Sequence, residues 1–264
     1  MGGATERLTL LARAWDEAAE EYERYFVPRF APWVDQAVGA VTGQPLPPGQ
    51  ILVPCCGTFP ELPALQAGFP DREIFGVDLS AGMVQIARAR AAGSWNVWVV
   101  EGNAATLGPE WTDACAGVVS VFGLQQLPDP AAALADWAQA LRPGGCLSVV
   151  FWPTEVESDG PFALLSQVLA AHRPLADDAW QAQLGNVLAG AGVTIERDEY
   201  LSFPMSHEHA EAFWTAMTSG GPLRSVALAE GDEFMGAMRE TFLAAAPAGQ
   251  WNHMPRARWI VARR

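Results

Sequence analysis

Residues Ile51 to Asp78 read ILVPCCGTFPELPALQAGFPDREIFGVD, and this stretch decides the fold. A short apolar run, Ile51 to Val53, enters a turn made of Pro54, Cys55, Cys56 and Gly57. A helix-compatible segment follows from Pro60 to about Ala67, and a second apolar run, Ile74 to Val77, ends on Asp78. The order is strand, tight turn, helix, strand, acid. Its physical logic is that of a nucleoside-binding unit. Backbone amides at a helix N-terminus meet a polar or charged group, and an acid at the tip of the next strand meets ribose hydroxyls.

Downstream, strand and helix keep alternating. Ser80 is placed as the N-cap of a helix carrying Met83, Ile86 and Ala87 on one stripe, and Gly93 stops it. Asn96 to Val100 reads as a third strand, Ala116 to Phe122 as a fourth and Cys146 to Trp152 as a fifth. Between the last two lie FGLQQLPDP, a helix from Ala131 to Leu141 and the turn Arg142-Pro143-Gly144-Gly145. Short connections in this alternation predict a parallel sheet covered on both faces. Helices are expected over Pro161 to Ala171 and Trp180 to Ala191, and a long strand over Val193 to Phe203. Ser206 to Ala246 reads as mostly helical, broken at Ser219 to Pro222, and Trp259 to Ala262 reads as a closing strand.

Upstream, Thr9 to Phe30 has helical periodicity, interrupted at Pro28, and a second helix runs from about Trp33 to Val41. Trp15, Tyr22, Tyr25 and Phe26 on that stripe either pack on the sheet or cover the cleft. The expected organisation is one domain: a helical cover over 1–48, a cofactor-binding core over 49–153, and the remaining sheet with a helical substrate cap over 154–264.

The 264 residues suffice for such a core, and half of them are apolar. A formal net charge of −14 with only 16 Lys plus Arg argues against nucleic acid as a partner. No apolar run approaches a membrane span, and MGGATERLTLLARAW lacks the pattern of an export signal. Cys55, Cys56, Cys115 and Cys146 form no CxxC pair, so no metal site is expected and reduced thiols of a cytoplasmic protein are the plain reading. A homodimer is left open.

From Ile51 to Pro153 above all, the chain resembles the class I S-adenosylmethionine-dependent methyltransferases, in the small-molecule group related to the ubiquinone and menaquinone C-methyltransferases. The carriers are the first turn Cys55-Cys56-Gly57-Thr58-Phe59, Asp78, the run Gly102-Asn103-Ala104, the FGLQQLPDP segment and the Arg142-Pro143-Gly144-Gly145 turn. The resemblance implies a Rossmann-like seven-stranded sheet with an antiparallel last strand, which PRARWIVARR would supply. It implies S-adenosyl-L-methionine as cofactor, bound by Cys55, Gly57, Glu61, Asp78, Leu79, Met83, Gly102, Asn103, Ala104 and Phe122. It implies methyl transfer by in-line displacement to a small molecule, for which the many aromatic residues suggest a planar or apolar acceptor.

The chain departs from that family where it matters. Val53 replaces an acid late in the first strand, and Cys55 and Phe59 replace glycines that let a cofactor approach closely. Asn103 replaces an acid, and Gln126 stands at a position often held by histidine. A nicotinamide dehydrogenase would want G-x-G-x-x-G, which is missing. A nearer rival is a degenerate member of the fold, either a non-methylating enzyme such as a cyclase or a non-catalytic partner subunit.

Each candidate residue has a plainer role beside its functional one. Asp78 either binds ribose or caps a helix, Gly57 either admits the cofactor or only turns the chain, and Glu61 either meets the cofactor's ammonium or steadies a helix N-terminus. A methyl acceptor needs a base only if it is protonated at neutral pH. The catalytic candidates are Gln126, His207 and His253, with His172 and His209 as further histidines and Gln125 beside Gln126 to orient an acceptor.

Overall fold

Ile51, Leu52 and Val53 are fully buried because strand β1 (Gln50–Pro54) runs through the middle of a sheet covered on both faces. Such a strand has no polar face to present, so a continuous apolar run replaces alternation. The computed structural model describes residues 2–173 and 178–264. Helices α1 (Gly2–Tyr25) and α2 (Val27–Thr42) precede β1. After it come α3 (Leu62–Gly68), β2 (Ile74–Asp78), α4 (Ala81–Arg90), β3 (Val97–Glu101), β4 (Cys115–Val121), α5 (Pro130–Ala140) and β5 (Leu141–Phe151). The second half contains α6 (Pro161–His172), α7 (Trp180–Gly190), β6 (Thr194–Ser202), β7 (Met205–His207), α8 (Ala210–Ser219), α9 (Leu223–Glu230), α10 (Asp232–Ala245), β8 (Trp251–His253) and β9 (Arg256–Arg263).

Seven strands form one sheet in the order β3-β2-β1-β4-β5-β9-β6. Strands β1 to β5 pair in parallel, and β9 runs antiparallel to both β5 and β6. This is the Rossmann-like α/β sheet with an antiparallel last strand that the sequence implies. Strand order reverses between β1 and β4, which opens a crevice at the carboxyl ends of these strands. One face is packed by Trp33, Leu62, Val84 and Phe213, from α2, α3, α4 and α8. The other is packed by Trp137 of α5 and Leu184 and Leu188 of α7.

Three sequence expectations need correction. The N-terminal helices part at Phe26, not at Pro28. Pro28 lies in the first turn of α2, where a missing N–H leaves no bond unmade. The Arg142 to Gly145 turn belongs to β5 as an irregularity: Leu141 pairs with Cys115 and Cys146 with Gly117, while Gly144 takes φ +82° between them. Finally, His207 is not helical. Residues 205–207 pair antiparallel with 251–253 as a separate ribbon, a strand too short for its period to show in the sequence.

Candidate functional site

A cavity of about 290 Å³ opens at the carboxyl ends of the central strands. Its floor is the β1–α3 turn. There Cys55 (φ +56°) and Phe59 (φ +64°) both adopt the left-handed conformation that favours glycine. Neither side chain is left clashing. Phe59 turns into the core, where Gly76 of β2 makes room; a β-carbon on Gly76 would lie 2.8 Å from the Phe59 ring. Phe59 therefore does not wall the cavity. Cys55 turns toward Gly123, which likewise has no β-carbon to collide with it. Burial pushes the thiol of Cys55 well up, so it stays protonated and unreactive.

Asp78 closes the polar end. Its Oδ2 accepts from the Gly57 amide at 2.8 Å and its Oδ1 from the Ser80 amide at 3.0 Å. Burial raises its pKa, and these N–H groups oppose that rise. Each carboxylate oxygen retains a further acceptor site. The following helix starts as the sequence indicates, with Ser80 Oγ accepting from the Met83 amide. A partner missed in the sequence completes it: Asp16 of α1 accepts from Ser80 Oγ at 2.7 Å and from the Gly82 amide at 3.0 Å. These bonds dock α1 on α4 and bring Trp15, Tyr22 and Phe26 onto the cavity wall.

Two amide side chains tell what a ligand must offer. Gln125 donates through Nε2 to the Phe122 carbonyl at 2.6 Å, which leaves its buried Oε1 an acceptor with no donor. Asn103 Oδ1 accepts from the Ala105 amide, so its NH₂ group is the part left to donate outward. The opposite end is aromatic: Phe122 stacks on Trp152 with centroids 4.1 Å apart, and Phe30 lies against Phe122.

Of the residues singled out in the sequence, Cys55, Gly57, Asp78, Leu79, Met83, Asn103, Ala104, Phe122 and Gln126 border the cavity. Gly102, Glu61, His207 and His253 do not. Gly102 instead donates its amide to the Asp78 carbonyl. Glu61 is buried at the head of α3, with Oε2 lacking a hydrogen-bond partner and burial raising its pKa to about 8. It lies close to Tyr22, which does border the cavity. Trp15, Phe26, Trp152 and Phe162 also border the cavity, whereas Trp33, Phe213 and Trp214 are core.

The reading of His207 and His253 as acid–base groups at the acceptor is corrected by their placement. They stand together in a buried hydrogen-bonded chain behind the wall. Tyr25 Oη meets His207 Nδ1 at 2.7 Å, His207 Nε2 meets His253 Nε2 at 3.0 Å, and His253 Nδ1 meets Glu157 Oε2 at 2.7 Å. Burial lowers the pKa of His207 to about 3. His209 caps α8 and His172 bonds the Val168 carbonyl within α6. Val156, Met217 and Pro222, which the sequence reading missed, come to the cavity from distant segments with no local signal. Among the described residues, no three His, Cys, Asp or Glu side chains are grouped to hold a metal ion, and no helix is long and apolar enough to cross a membrane.

The strand order and the antiparallel last strand are those of the class I methyltransferase fold, with an acid at the tip of β2 facing the β1 turn. Comparison agrees in part of the chain. Residues 51–145 match the family described as the methyltransferase domain. A stretch of 92 residues is 36% identical to a demethylmenaquinone methyltransferase of Staphylococcus aureus, covering 34% of this chain and 38% of that protein. The chain thus spans well under half of the curated relatives it matches. Among solved structures, a geranyl diphosphate methyltransferase in complex with SAM superposes with TM-score 0.53 at 16% identity, over 89% of this chain and 85% of that one. The [4+2]-cyclase SpnF superposes with TM-score 0.51 at 20% identity, over 88% and 80%. At such identities the likeness is one of fold.

Proposed function

We propose that this protein transfers a methyl group from S-adenosylmethionine to a small, planar, largely apolar metabolite. The observation that carries the reading is Asp78: a carboxylate at the tip of β2, on the cavity wall, with acceptor sites to spare beside Gly57. In this reading Asp78 accepts from both ribose hydroxyls. Gly57 admits the cofactor, since a β-carbon there would meet nothing nearer than 4.0 Å and the glycine leaves still more room. The Asn103 amide group donates to the adenine edge, with Gly102 setting its backbone and Leu79, Met83 and Ala104 enclosing the ring. The unpaired Gln125 Oε1 suits a donor such as the cofactor's ammonium.

The bound cofactor supplies a methyl group already activated by its sulfonium charge. The protein's part is to hold the acceptor in line and keep water out. Phe122, Trp152 and Phe162 form an apolar wall for a planar ring, and Gln126 orients its polar substituent. Cys55 packs against Gly123 at the cavity floor. The four cysteines are free, in keeping with a reducing compartment such as the cytoplasm.

Incubation with methyl-labelled S-adenosylmethionine and a panel of naphthoquinols, catechols and phenols tests the activity. Label on an acceptor supports it. Cofactor binding without label transfer across the panel favours the non-methylating reading.

A further inference from the structure

The chain from Tyr25 to Glu157 has a direction that elementary hydrogen-bond rules fix. An ionised carboxylate only accepts, so His253 donates from Nδ1 to Glu157 Oε2. In neutral His253, Nε2 is then a lone pair, and the 3.0 Å contact requires His207 to donate from its own Nε2. His207 Nδ1 is thereby a lone pair, and the Tyr25 hydroxyl donates into it. With both histidines neutral, every link is satisfied in this one direction.

The surroundings are built for this chain. Gly160 leaves room for the Glu157 carboxylate, since a β-carbon there would lie 2.7 Å from Oε1. That Oε1 accepts from the Phe162 amide at 2.7 Å, in the first turn of α6. The rings of Phe162 and Phe213 flank the histidines. The charged groups around the chain are Arg29, lying 3.8 Å over the Tyr25 ring, and Glu21, Arg24 and Glu208 near its hydroxyl. Glu155, Asp159 and Arg256 share an adjoining surface hollow with Glu157.

Each end of the chain holds a different wall of the cavity. Tyr25 sits on α1 against Phe26, which borders the cavity, and Glu157 follows Val156 in the chain and accepts from the Phe162 amide, both of these residues bordering the cavity as well. We propose that Tyr25 and Glu157 are positioning residues for the acceptor end of the cavity, joined through His207 and His253 into one directed chain that sets the two walls relative to each other. What the cavity accepts rests on the methyl-transfer reading; the chain and its coupling do not.

Nitrogen-15 NMR of the histidine side chains, with methyl labelling of Val156, tests this on the intact protein. At neutral pH the wild type is expected to carry the His253 proton on Nδ1 and the His207 proton on Nε2. Tyr25→Phe is expected to shift the Val156 methyl signals on the far wall, and Glu157→Gln to shift the Phe26 ring signals. A neutral-pH His207 protonated on Nδ1 overturns the proposal without any variant being needed. So does a folded Tyr25→Phe protein whose Val156 signals stay put. Calorimetry with S-adenosylhomocysteine on the same samples separates the two claims: failure to bind counts against the methyl-transfer reading and leaves the coupling measurement intact.

Discussion

A β-carbon on Gly123 would lie 2.3 Å from the β-carbon of Cys55. The two residues come from the turns after β1 and β4, and they divide one small space between them. Because Gly123 yields it, Cys55 can hold a conformation that usually belongs to glycine while it lines the cavity. Gly123→Ala is therefore expected to destabilise the fold by roughly 1–3 kcal/mol, as overpacking does. Cys55→Gly trades relief of left-handed strain against a more flexible unfolded chain, so a change within about 1 kcal/mol is expected. Urea denaturation of both variants checks this; a neutral Gly123→Ala would show that the turn can move apart.

The second departure from glycine has its own compensation. Gly76→Ala would set a β-carbon 2.8 Å from the Phe59 ring and 2.9 Å from Cys56 Sγ. It is expected to cost roughly 1–3 kcal/mol, and Phe59→Leu in the same chain to recover part of that. A double-mutant cycle in denaturant reads the coupling. Strict additivity would contradict the packing account.

Glu61 predicts a pH dependence. Its pKa in the folded protein is raised above the usual carboxylate range to about 8, chiefly by burial. The stability this contributes is fully present below the unfolded value and is lost as pH rises through the folded one, because the unfolded chain gives up the proton first. Glu61→Gln removes that titration. Its unfolding midpoint should exceed the wild type's at pH 8, by ~1–3 kcal/mol in stability, with a much smaller difference at pH 5. Equal pH profiles for the two proteins would contradict a neutral, buried Glu61.

Asp16 pins the cover helix. It accepts from Ser80 Oγ and from the Gly82 amide, so it serves α4 as a second cap. Asp16→Ala is expected to cost about 1–2 kcal/mol and to raise hydrogen exchange along α1. Unchanged exchange would mean that the aromatic contacts alone hold the cover in place.

The sequence carried the fold because its signals are local. An apolar run, a turn, a helix and an acid follow one another within Ile51 to Asp78, and each is read without knowing what touches it. The cofactor end of the cavity was legible for the same reason: Gly57, Asp78 and Asn103 sit at strand tips, which parallel sheets turn to binding. The acceptor end was not. Val156, Met217 and Pro222 meet there only through the fold of the second half. His207 and His253 illustrate the limit well, since they are 46 residues apart and came together through a ribbon of three-residue strands. Glu157, which completes their chain, stands in an unremarkable acidic loop, and its partner Gly160 reads as an ordinary turn residue.

The most direct test of the central claim is titration calorimetry of S-adenosylhomocysteine into the wild type and into Asp78→Ala, each verified as folded by circular dichroism. The account predicts one-to-one binding in the micromolar range by the wild type, weakened by about ten- to a hundredfold in the variant, as loss of charge-assisted bonds to ribose requires. A folded wild type that takes up no ligand at millimolar concentration, or a variant that binds as tightly as the wild type, would contradict it.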